Sequence, residues 1–592
     1  MIIYKILKEK ISDFLLSKYD INIKNIEILK TKKDFEGDIT IVIFPIIKIL
    51  KKSPVEIGKI IGGFLVSELS YINKFNQIQG FVNLTLSDQY YIKILNENIL
   101  NDDFGFVKPK KNDPKILVEF SSPNTNKPLH LGHIRNILLG FSISEILSAN
   151  GKNVHRTQII NDKGIHICKS IVAWLNYGKN SSPFESEEKG DHFVGKYYVL
   201  FDKTYKKQIE DLINQGKDKA FAEKNASIFL QAQELLLKWE SGDEKVIELW
   251  KKMNSWVYNG FNKTYEDLSV DFDSNYYESE TYLIGKEIIK KGLKEGVFFK
   301  EKDGSVWVDL TDEGLDKKIL LRSDGTSVYM TQDLGTAYLR FKDQPDMSGV
   351  IYTVGNEQDY HFKVLFKILE KLNFSWSDNL YHLSYGMVDL PFGKMKSREG
   401  TVVDADEIIL EMQQNASKLS DELGKISDFS SEEKNILNKQ IGLAALKYYI
   451  LKVDPKKRIL FDPVGSIDFN GNTGPFIQYT YARIQSLIKR DNFEPNISDL
   501  SIVINDKEKE LIQFLIEFPD VIKSAGIHYS PAIIANYVYE LVKCYNSYYQ
   551  SNSILKVSDS DLKNLRLNIS YKVGIVIKKS MSLLGIEVPN KM

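Results

Sequence analysis

The sequence predicts a multidomain α/β protein built around a parallel sheet, with a small α+β unit before it and an all-helical region after it. Three observations carry this. At 592 residues the chain exceeds what one hydrophobic core sustains, so several domains must be joined. Short apolar runs alternate with helical patterns through the middle of the chain, the rhythm of parallel strands joined by crossover helices. Beyond about residue 410 strand signals fade and amphipathic helical patterns continue almost to the end.

The first unit, residues 1–110, has helical patterns at 3–18 and 53–70 and strand-like runs ITIVIFPI (39–46) and QGFVNLTL (79–86). The polar stretch NDDFGFVKPKKNDP (101–114) reads as a linker. The second unit, 111–410, opens with the strand KILVEF, then the helix IRNILLGFSISEILSAN and the strand NVHRTQII; GVIYTVG followed by HFKVLFKILEKL repeats the pattern. A charged helical segment near 180–270 breaks this rhythm and reads as an insertion. The third unit, 411–592, is helical.

Hydrophobic residues make up 43% and charged residues 27% of the chain, a globular balance rather than a disordered one. The N-terminal MIIYKILKEKISDFLLSKYD interrupts its apolar residues with charge, which breaks a signal-peptide core, and no uncharged apolar run is long enough for a bilayer. The cysteines are Cys168 and Cys544, too few for a disulfide framework or a thiolate zinc cluster, so a cytoplasmic location is expected, with no membrane partner. A net charge of −1 does not decide for or against nucleic acid. Local basic clusters, at KVDPKKRIL, YARIQSLIKR and Lys563 to Lys579, suit either an RNA surface or ordinary solvated helix faces.

The stretch VEFSSPNTNKPLHLGHIRNILLG, Val118 to Gly140, concentrates chemistry. KILVEF ends a strand, SSPNTNKP is not helical, and IRNILLG begins a helix, so His130 and His133 stand at a helix N-terminus. Unpaired backbone N–H groups and the helix dipole favour phosphate there. Gly132 lets a ring or ribose approach the backbone, and Lys127 adds positive charge. Two other readings stand beside this one: a metal-binding histidine pair, for which no further ligand follows nearby, and histidines that only cap the helix. A second stretch, GKMKSREGTVV (Gly393 to Val403), sets Lys394, Lys396, Ser397 and Arg398 between glycines, suited to clamping a triphosphate. The two together are the fingerprint of nucleotidyl-transferring Rossmann-type enzymes.

On these motifs the chain resembles the class I aminoacyl-tRNA synthetases, and within them the arginyl-tRNA synthetase family. EFSSPNTNKPLHLGH is similar to that family's extended first motif, SVYMTQDLGTAY to its arginine-site segment and DFNGNTGPFIQYTYARI to the start of its anticodon-binding domain. FEGDITIVIF, QGFVNLTL and LLGIEVPNKM extend the likeness over nearly the whole chain apart from the insertion. The resemblance implies a Rossmann-type catalytic domain, an N-terminal unit touching the outer corner of tRNA, and a helical anticodon-binding domain.

It also implies an arginine–tRNA ligase that forms arginyl-adenylate from L-arginine and ATP and passes the arginyl group to the 3′-terminal adenosine of tRNA(Arg). ATP would enter with Mg2+, with no tightly bound cofactor and no structural zinc or other metal site, and the enzyme would be a monomer. Catalytic residues carried over are Lys127, His130, His133, Lys394 and Lys396. ATP would meet Lys127, His130, Gly132, His133, Asp162, Gly164, His166, Met387, Lys394 and Ser397. Arginine, whose guanidinium requires planar acceptors, would meet Glu119, Asn124, Glu278, Tyr329, Asp333 and Gln358, with the division of acids between its two cationic ends left open. The tRNA would meet Phe476, Tyr479, Arg483, Tyr545 and Tyr549, aromatic and guanidinium faces suited to unstacked bases.

One departure stands out. Ser397 occupies the position where the family's second motif has its second lysine, and the resemblance implies that Lys127 supplies that charge; a one-residue shift would give the role to Lys396. Three other readings stand against this one. Another class I synthetase, such as the cysteinyl or glutamyl enzyme, is the nearest in kind, and the cysteinyl one would need a thiol-selecting metal site that this Cys-poor chain lacks. A small-molecule adenylyltransferase would leave both flanking units without a purpose, and a non-catalytic tRNA binder would be expected to lose the histidine and lysine motifs.

Overall fold

The computed structural model describes residues 2–23, 25–32, 34–99, 101–110, 112–178, 181–389, 403–423 and 429–592. The N-terminal unit is an antiparallel sheet of β1 (Glu27–Lys30), β2 (Ile39–Val42), β3 (Ile72–Ile78) and β4 (Phe81–Leu86), in the order β1-β2-β4-β3. The helices Ile2–Tyr19 and Pro54–Glu68 belong to the same unit, and their apolar stripes (Leu7, Ile11, Leu15; Ile57, Ile61, Leu65) are buried. The run ITIVIFPI is not one strand. It leaves the sheet at Val42 and becomes the helix Phe44–Leu50, because Pro45 has no N–H to give a ladder and is at home in a helix's first turn.

The central sheet is formed by β5 (Lys115–Glu119), β6 (Asn153–Ile160), β7 (Ser274–Tyr277), β11 (Met347–Gly355) and β12 (Leu380–Tyr385). A small antiparallel sheet of β8 (Phe299–Lys300), β9 (Val306–Val308) and β10 (Lys318–Leu321) falls between β7 and β11 in the chain. The central strands lie in the order β12-β11-β5-β6-β7 and every pair is parallel. Leu117, Val118, Val350 and Ile351 are buried, as the middle strands of a sheet covered on both faces require. The helix Leu131–Ala149 connects β5 to β6 and is buried nearly all round, since helices of the C-terminal region pack on its outer side; Ser142 Oγ donates to the Leu583 carbonyl at 2.7 Å. Helices Gly190–Asn214, Lys219–Asn225, Ser227–Glu240 and Glu244–Asp267 form the insertion.

After the short parallel pair β13 (Val388–Asp389) and β14 (Ile459–Leu460), the helices Gly474–Asp491, Asp506–His528, Pro531–Ser551 and Ser560–Leu583 complete the chain. The basic run Lys563 to Lys579 is largely tied into the fold, though Lys578 is exposed. Lys563 pairs with Asp491 at 2.5 Å, Lys572 donates to the Asn101 carbonyl at 3.3 Å and Lys579 to the Phe104 carbonyl at 3.0 Å, so the last two bind the segment that follows the N-terminal unit. Lys30–Glu517 and Lys509–Asp88, at 2.7 and 2.8 Å, dock the N-terminal sheet and its following helix on the same helical region. No helix among the described residues is long and apolar enough to cross a membrane.

Candidate active site

Strand β5 is followed by the first βα turn, and the chain then builds β6 and β7 on one side; β11 and β12 lie on the other. Connections therefore leave β5 and β11 in opposite directions, which opens a crevice at the carboxyl ends of the strands. Glu119 ends β5, Asp162 and Gly164 follow β6, Glu278 follows β7, Asn356 to Gln358 follow β11, and Met387 follows β12. These residues therefore lie at the carboxyl-terminal edge of the sheet.

At the first turn, His130 is the N-cap of Leu131–Ala149. Its Nδ1 accepts the Gly132 N–H at 3.1 Å, and His133 Nδ1 accepts the His130 N–H at 3.1 Å, a reciprocal capping box. Burial, with Lys127 nearby, lowers His130 to about 4; burial, with His130 and Lys127 nearby, holds His133 well below the ordinary histidine range. Both rings are therefore neutral at pH 7. With each Nδ1 occupied as an acceptor, each proton sits on Nε2, and the turn offers two imidazole N–H donors beside a helix N-terminus. The capping that orients the two rings thus leaves the Nε2 side of each for other acceptors. Lys127 is half-buried and burial lowers its pKa.

The same turn is tied to the chain beyond the lysine-rich stretch: the Leu131 N–H donates to Val403 O at 3.3 Å and the Ala405 N–H to Leu129 O at 3.0 Å. Lys394, Lys396, Ser397 and Arg398 themselves lie outside the described residues. Met387 is held from the other side, its carbonyl accepting from Arg135 Nη1 at 3.1 Å while Arg135 Nη2 donates to the carbonyls of Pro455 and Lys457 at 2.9 and 2.6 Å.

At the acidic end, the helices Glu278–Lys294 and Tyr329–Asp343 cross closely. A Cβ on Gly285 would stand 1.9 Å from Thr331 O and one on Gly335 2.3 Å from Thr281 O, so only glycines permit this crossing. It brings Glu278 and Asp333 near enough that burial first, then the Asp333 and Asp162 charges, push the Glu278 carboxyl up to about 8. Asp333 Oδ2 meets His361 Nε2 at 2.5 Å. Glu119 is buried and paired with the wholly buried Arg340, so its charge is already answered within the fold.

Asp162 is enclosed and fully occupied: its carboxylate accepts from Ser279 N–H (2.9 Å), Ser279 Oγ (2.8 Å) and Tyr258 Oη (3.1 Å), and its carbonyl accepts from Trp250 Nε1 (2.7 Å). It anchors the insertion to the helix that carries Glu278. Gly164 has φ +110°, a left-handed value that suits glycine, at the start of Ile165–Tyr177. His166 Nδ1 lies 3.0 Å from Tyr198 Oη. Tyr329 is 71% exposed, Gln358 is exposed, and Asn124 is half-buried beside Asn161.

On the helical region, Arg483 lies over the rings of Tyr479 and Tyr549 at 5.0 and 5.3 Å and donates to Asn546 Oδ1 at 2.8 Å. These three and Phe476 are half-buried, with surface left to offer. Tyr545 is different: it is 0% exposed and belongs to the helix–helix core, so the expectation that it meets RNA is corrected.

The chain matches the model of the class I tRNA synthetase (R) catalytic domain over residues 95–462 and that of the DALR anticodon-binding domain over residues 477–592. It is 55% identical to the arginine–tRNA ligase of Flavobacterium psychrophilum over 602 aligned residues, covering 100% of both chains. The chain belongs to the arginyl-tRNA synthetase family. The arginine–tRNA ligase of Bacteroides fragilis is 51% identical over 577 residues, 97% of this chain and 96% of that one. The solved arginyl-tRNA synthetase of Thermus thermophilus, at 23% identity, shares the fold with a TM-score of 0.79 over 99% of this chain and 100% of that one.

Within this arginyl-tRNA synthetase fold, reasoning from the sequence missed Arg135, Arg340, His361 and a cluster of Lys189, His192, Asp404 and Asp406. Arg135 and Arg340 sit inside helical patterns where periodicity gives no hint that a cation is buried. Nothing in the sequence marks them; the structure does, by burying both side chains beside acceptors.

Proposed function

We propose that this arginine–tRNA ligase, which joins L-arginine to tRNA(Arg) using ATP, binds its two small substrates at opposite ends of the crevice. The nucleotide would lie at the His turn and the guanidinium at Glu278 and Asp333. The observation that carries the reading is the contrast between those ends. Neutral imidazole donors, a lysine and a helix N-terminus suit polyphosphate, while a partly protonated carboxyl beside a second acid suits a cation that cannot lose its proton.

In the first step the arginine carboxylate oxygen bonds to the α-phosphorus of ATP as the α–β bridging bond breaks. Pyrophosphate leaves, its charge met by Lys127 and by the Nε2–H groups of His130 and His133. In the second, a ribose hydroxyl of the terminal adenosine attacks the activated carbonyl, AMP leaves with the acyl–phosphate bonding pair, and the departing phosphate takes up the hydroxyl proton. No protein nucleophile is required, so catalysis rests on positioning and charge. ATP would enter as its magnesium complex. Segments 1–110, 111–410 and 411–592 would divide the work between the outer corner of tRNA, catalysis and the anticodon. A monomer acting in the cytoplasm is the finer part of this reading, tested by sedimentation of the purified chain and by imaging in the source cell.

Arginine-dependent ATP–pyrophosphate exchange, measured with and without tRNA and against the other amino acids, tests the assignment. Exchange with arginine that is lost in His130→Ala and in Glu278→Gln is expected; exchange unaffected by either substitution would sink it.

A further inference from the structure

The insertion near 180–270, which the catalytic assignment leaves without a role, reaches the nucleotide end of the crevice through one polar cluster. Lys189, the N-cap of Gly190–Asn214, lies with Nζ 2.5 Å from Asp406 Oδ2, 3.1 Å from Asp191 Oδ2 and 2.5 Å from Thr264 Oγ1. His192 Nε2 lies 2.9 Å from Asp406 Oδ2 and 3.3 Å from Asp404 Oδ2, and Thr264 Oγ1 donates to Asp406 Oδ1 at 2.9 Å. Asp404 Oδ1 in turn accepts the Asp406 N–H at 2.8 Å. Two helices of the insertion thus grip the first turn of Ala405–Leu423.

That turn has a second attachment. Val403 and Ala405 bond to Leu131 and Leu129 on either side of His130, and His130 pairs with Asp404 as an isolated bridge. A cavity between the His turn and Gly190–Asn214 is walled by Lys127, His130, His192, Lys196, Tyr198 and Asp404. The donor atoms of Asp191, His192 and Asp406 are close enough to hold a metal ion. However, the Lys189 ammonium stands between the two carboxylates and supplies the positive charge a cation would bring. Each carboxylate therefore has a protein partner, and the cluster acts as a clasp.

We infer that Lys189 and His192 are positioning residues for ATP: by fixing Asp404 and Asp406, they hold Val403–Ala405 against Leu129–Leu131 and so set where Lys127 and His130 meet the nucleotide. The electrostatics agree. Burial alone would raise Asp406, but hydrogen bonds from His192, Lys189 and Thr264 outweigh it and bring the carboxyl down to about 2, while its aspartate partners raise His192 to about 10. Asp406 and His192 are therefore both charged at pH 7.

This inference rests on the reading that ATP lies at the His turn, and the test separates the two. In full-length enzyme with saturating tRNA, His130→Ala reports on the site itself. Lys189→Met is expected to raise KM for ATP about 10-fold or more while KM for arginine moves by less than about twofold, and Lys189→Arg to restore most of the loss. Should Lys189→Met not fold, Thr264→Val, which keeps the side-chain shape, is expected to raise KM for ATP about threefold with a near-normal Tm. If His130→Ala raises KM for ATP while Lys189→Met and Thr264→Val leave it unchanged, or move both KM values together, the clasp has no positioning role. If His130→Ala leaves KM for ATP unchanged, the underlying site assignment fails instead.

Discussion

The His turn and the acidic end of the same crevice are held in place by different kinds of bond. At the His turn, two imidazoles accept backbone N–H groups within four residues of chain, so the donors are aimed by the local fold of a single helix start. At the acidic end, Glu278 and Asp333 stand on helices that start about fifty residues apart and meet only because Gly285 and Gly335 let them cross closely. Asp162 ties one of those helices to the insertion. The capping box aims the two rings relative to their own helix whatever the neighbours do, and the clasp on Val403–Ala405 bears only on where the turn as a whole lies. The acidic end, built by long-range packing, is the more adjustable one, and under the proposed assignment its acid would give up a proton as the guanidinium arrives.

The largest break in this contrast is expected from Lys127→Ala. It removes charge where the leaving group develops it, so ATP–pyrophosphate exchange should fall about 10²–10³-fold, with Tm nearly unchanged because the capping box stands without it. Lys396→Ala should lose less. The reverse order would transfer the catalytic charge to the second lysine motif. Next in size is Glu278→Gln, which keeps the shape and deletes the charge. Loss of one charge-assisted contact to guanidinium should lower kcat/KM for arginine about 30- to 100-fold and leave KM for ATP within about threefold. An equal rise in both KM values would show that the two ends are not separate.

The acidic end should also be the pH-sensitive one. The free-enzyme Glu278 carboxyl is raised to about 8, first by burial and then by Asp333 and Asp162. Below that pH it is protonated and must lose a proton to receive a guanidinium, so kcat/KM for arginine should climb with pH up to about 8 and then level off. The sign for folding is opposite: an acid raised in the folded state favours the fold when neutral, and that contribution is lost as pH rises from the unfolded value toward 8. Glu278→Gln should flatten the arginine profile. His130, lowered to about 4, and His133, held well below the ordinary histidine range by burial, should add no step between pH 6 and 9.

What could be read from the sequence follows the same division. KILVEF, NVHRTQII and the helix after His133 are local patterns, and the structure places them as β5, β6 and Leu131–Ala149. The His turn was legible because its parts are contiguous. The pairing of Glu119 with Arg340 and the gripping of Asp406 by Lys189 were not, since their partners lie far apart in the chain and a charged residue in a helical pattern reads as surface. ITIVIFPI misled because the alternation of apolar residues continues through Phe44, where Pro45 already starts a helix. Asp162 was expected on ATP, and the sequence carries no sign that Ser279, Tyr258 and Trp250 would each donate to it.

The smallest effects should come from the helical region, and they sharpen the comparison by carrying it outside the crevice. Arg483 is stacked over Tyr479 and Tyr549 and anchored to Asn546, a flat cationic and aromatic surface assembled from two helices. One stacking contact with an unpaired base contributes about 1–3 kcal/mol, and Arg483, already stacked on two protein rings, stands at the low end of that range, so Arg483→Ala should raise KM for tRNA roughly 5- to 10-fold while KM for ATP and for arginine stay as they are. Tyr545 is the control on the same helix as Tyr549. Its ring is wholly enclosed, so Tyr545→Phe should leave KM for tRNA unchanged, whereas Tyr545→Ala should cost about 3–5 kcal/mol of stability through the cavity it leaves. Should Tyr545→Phe weaken tRNA binding while Arg483→Ala does not, the helices must reorganise on meeting RNA. This part of the molecule would then be the adjustable one, with the crevice rigid by comparison.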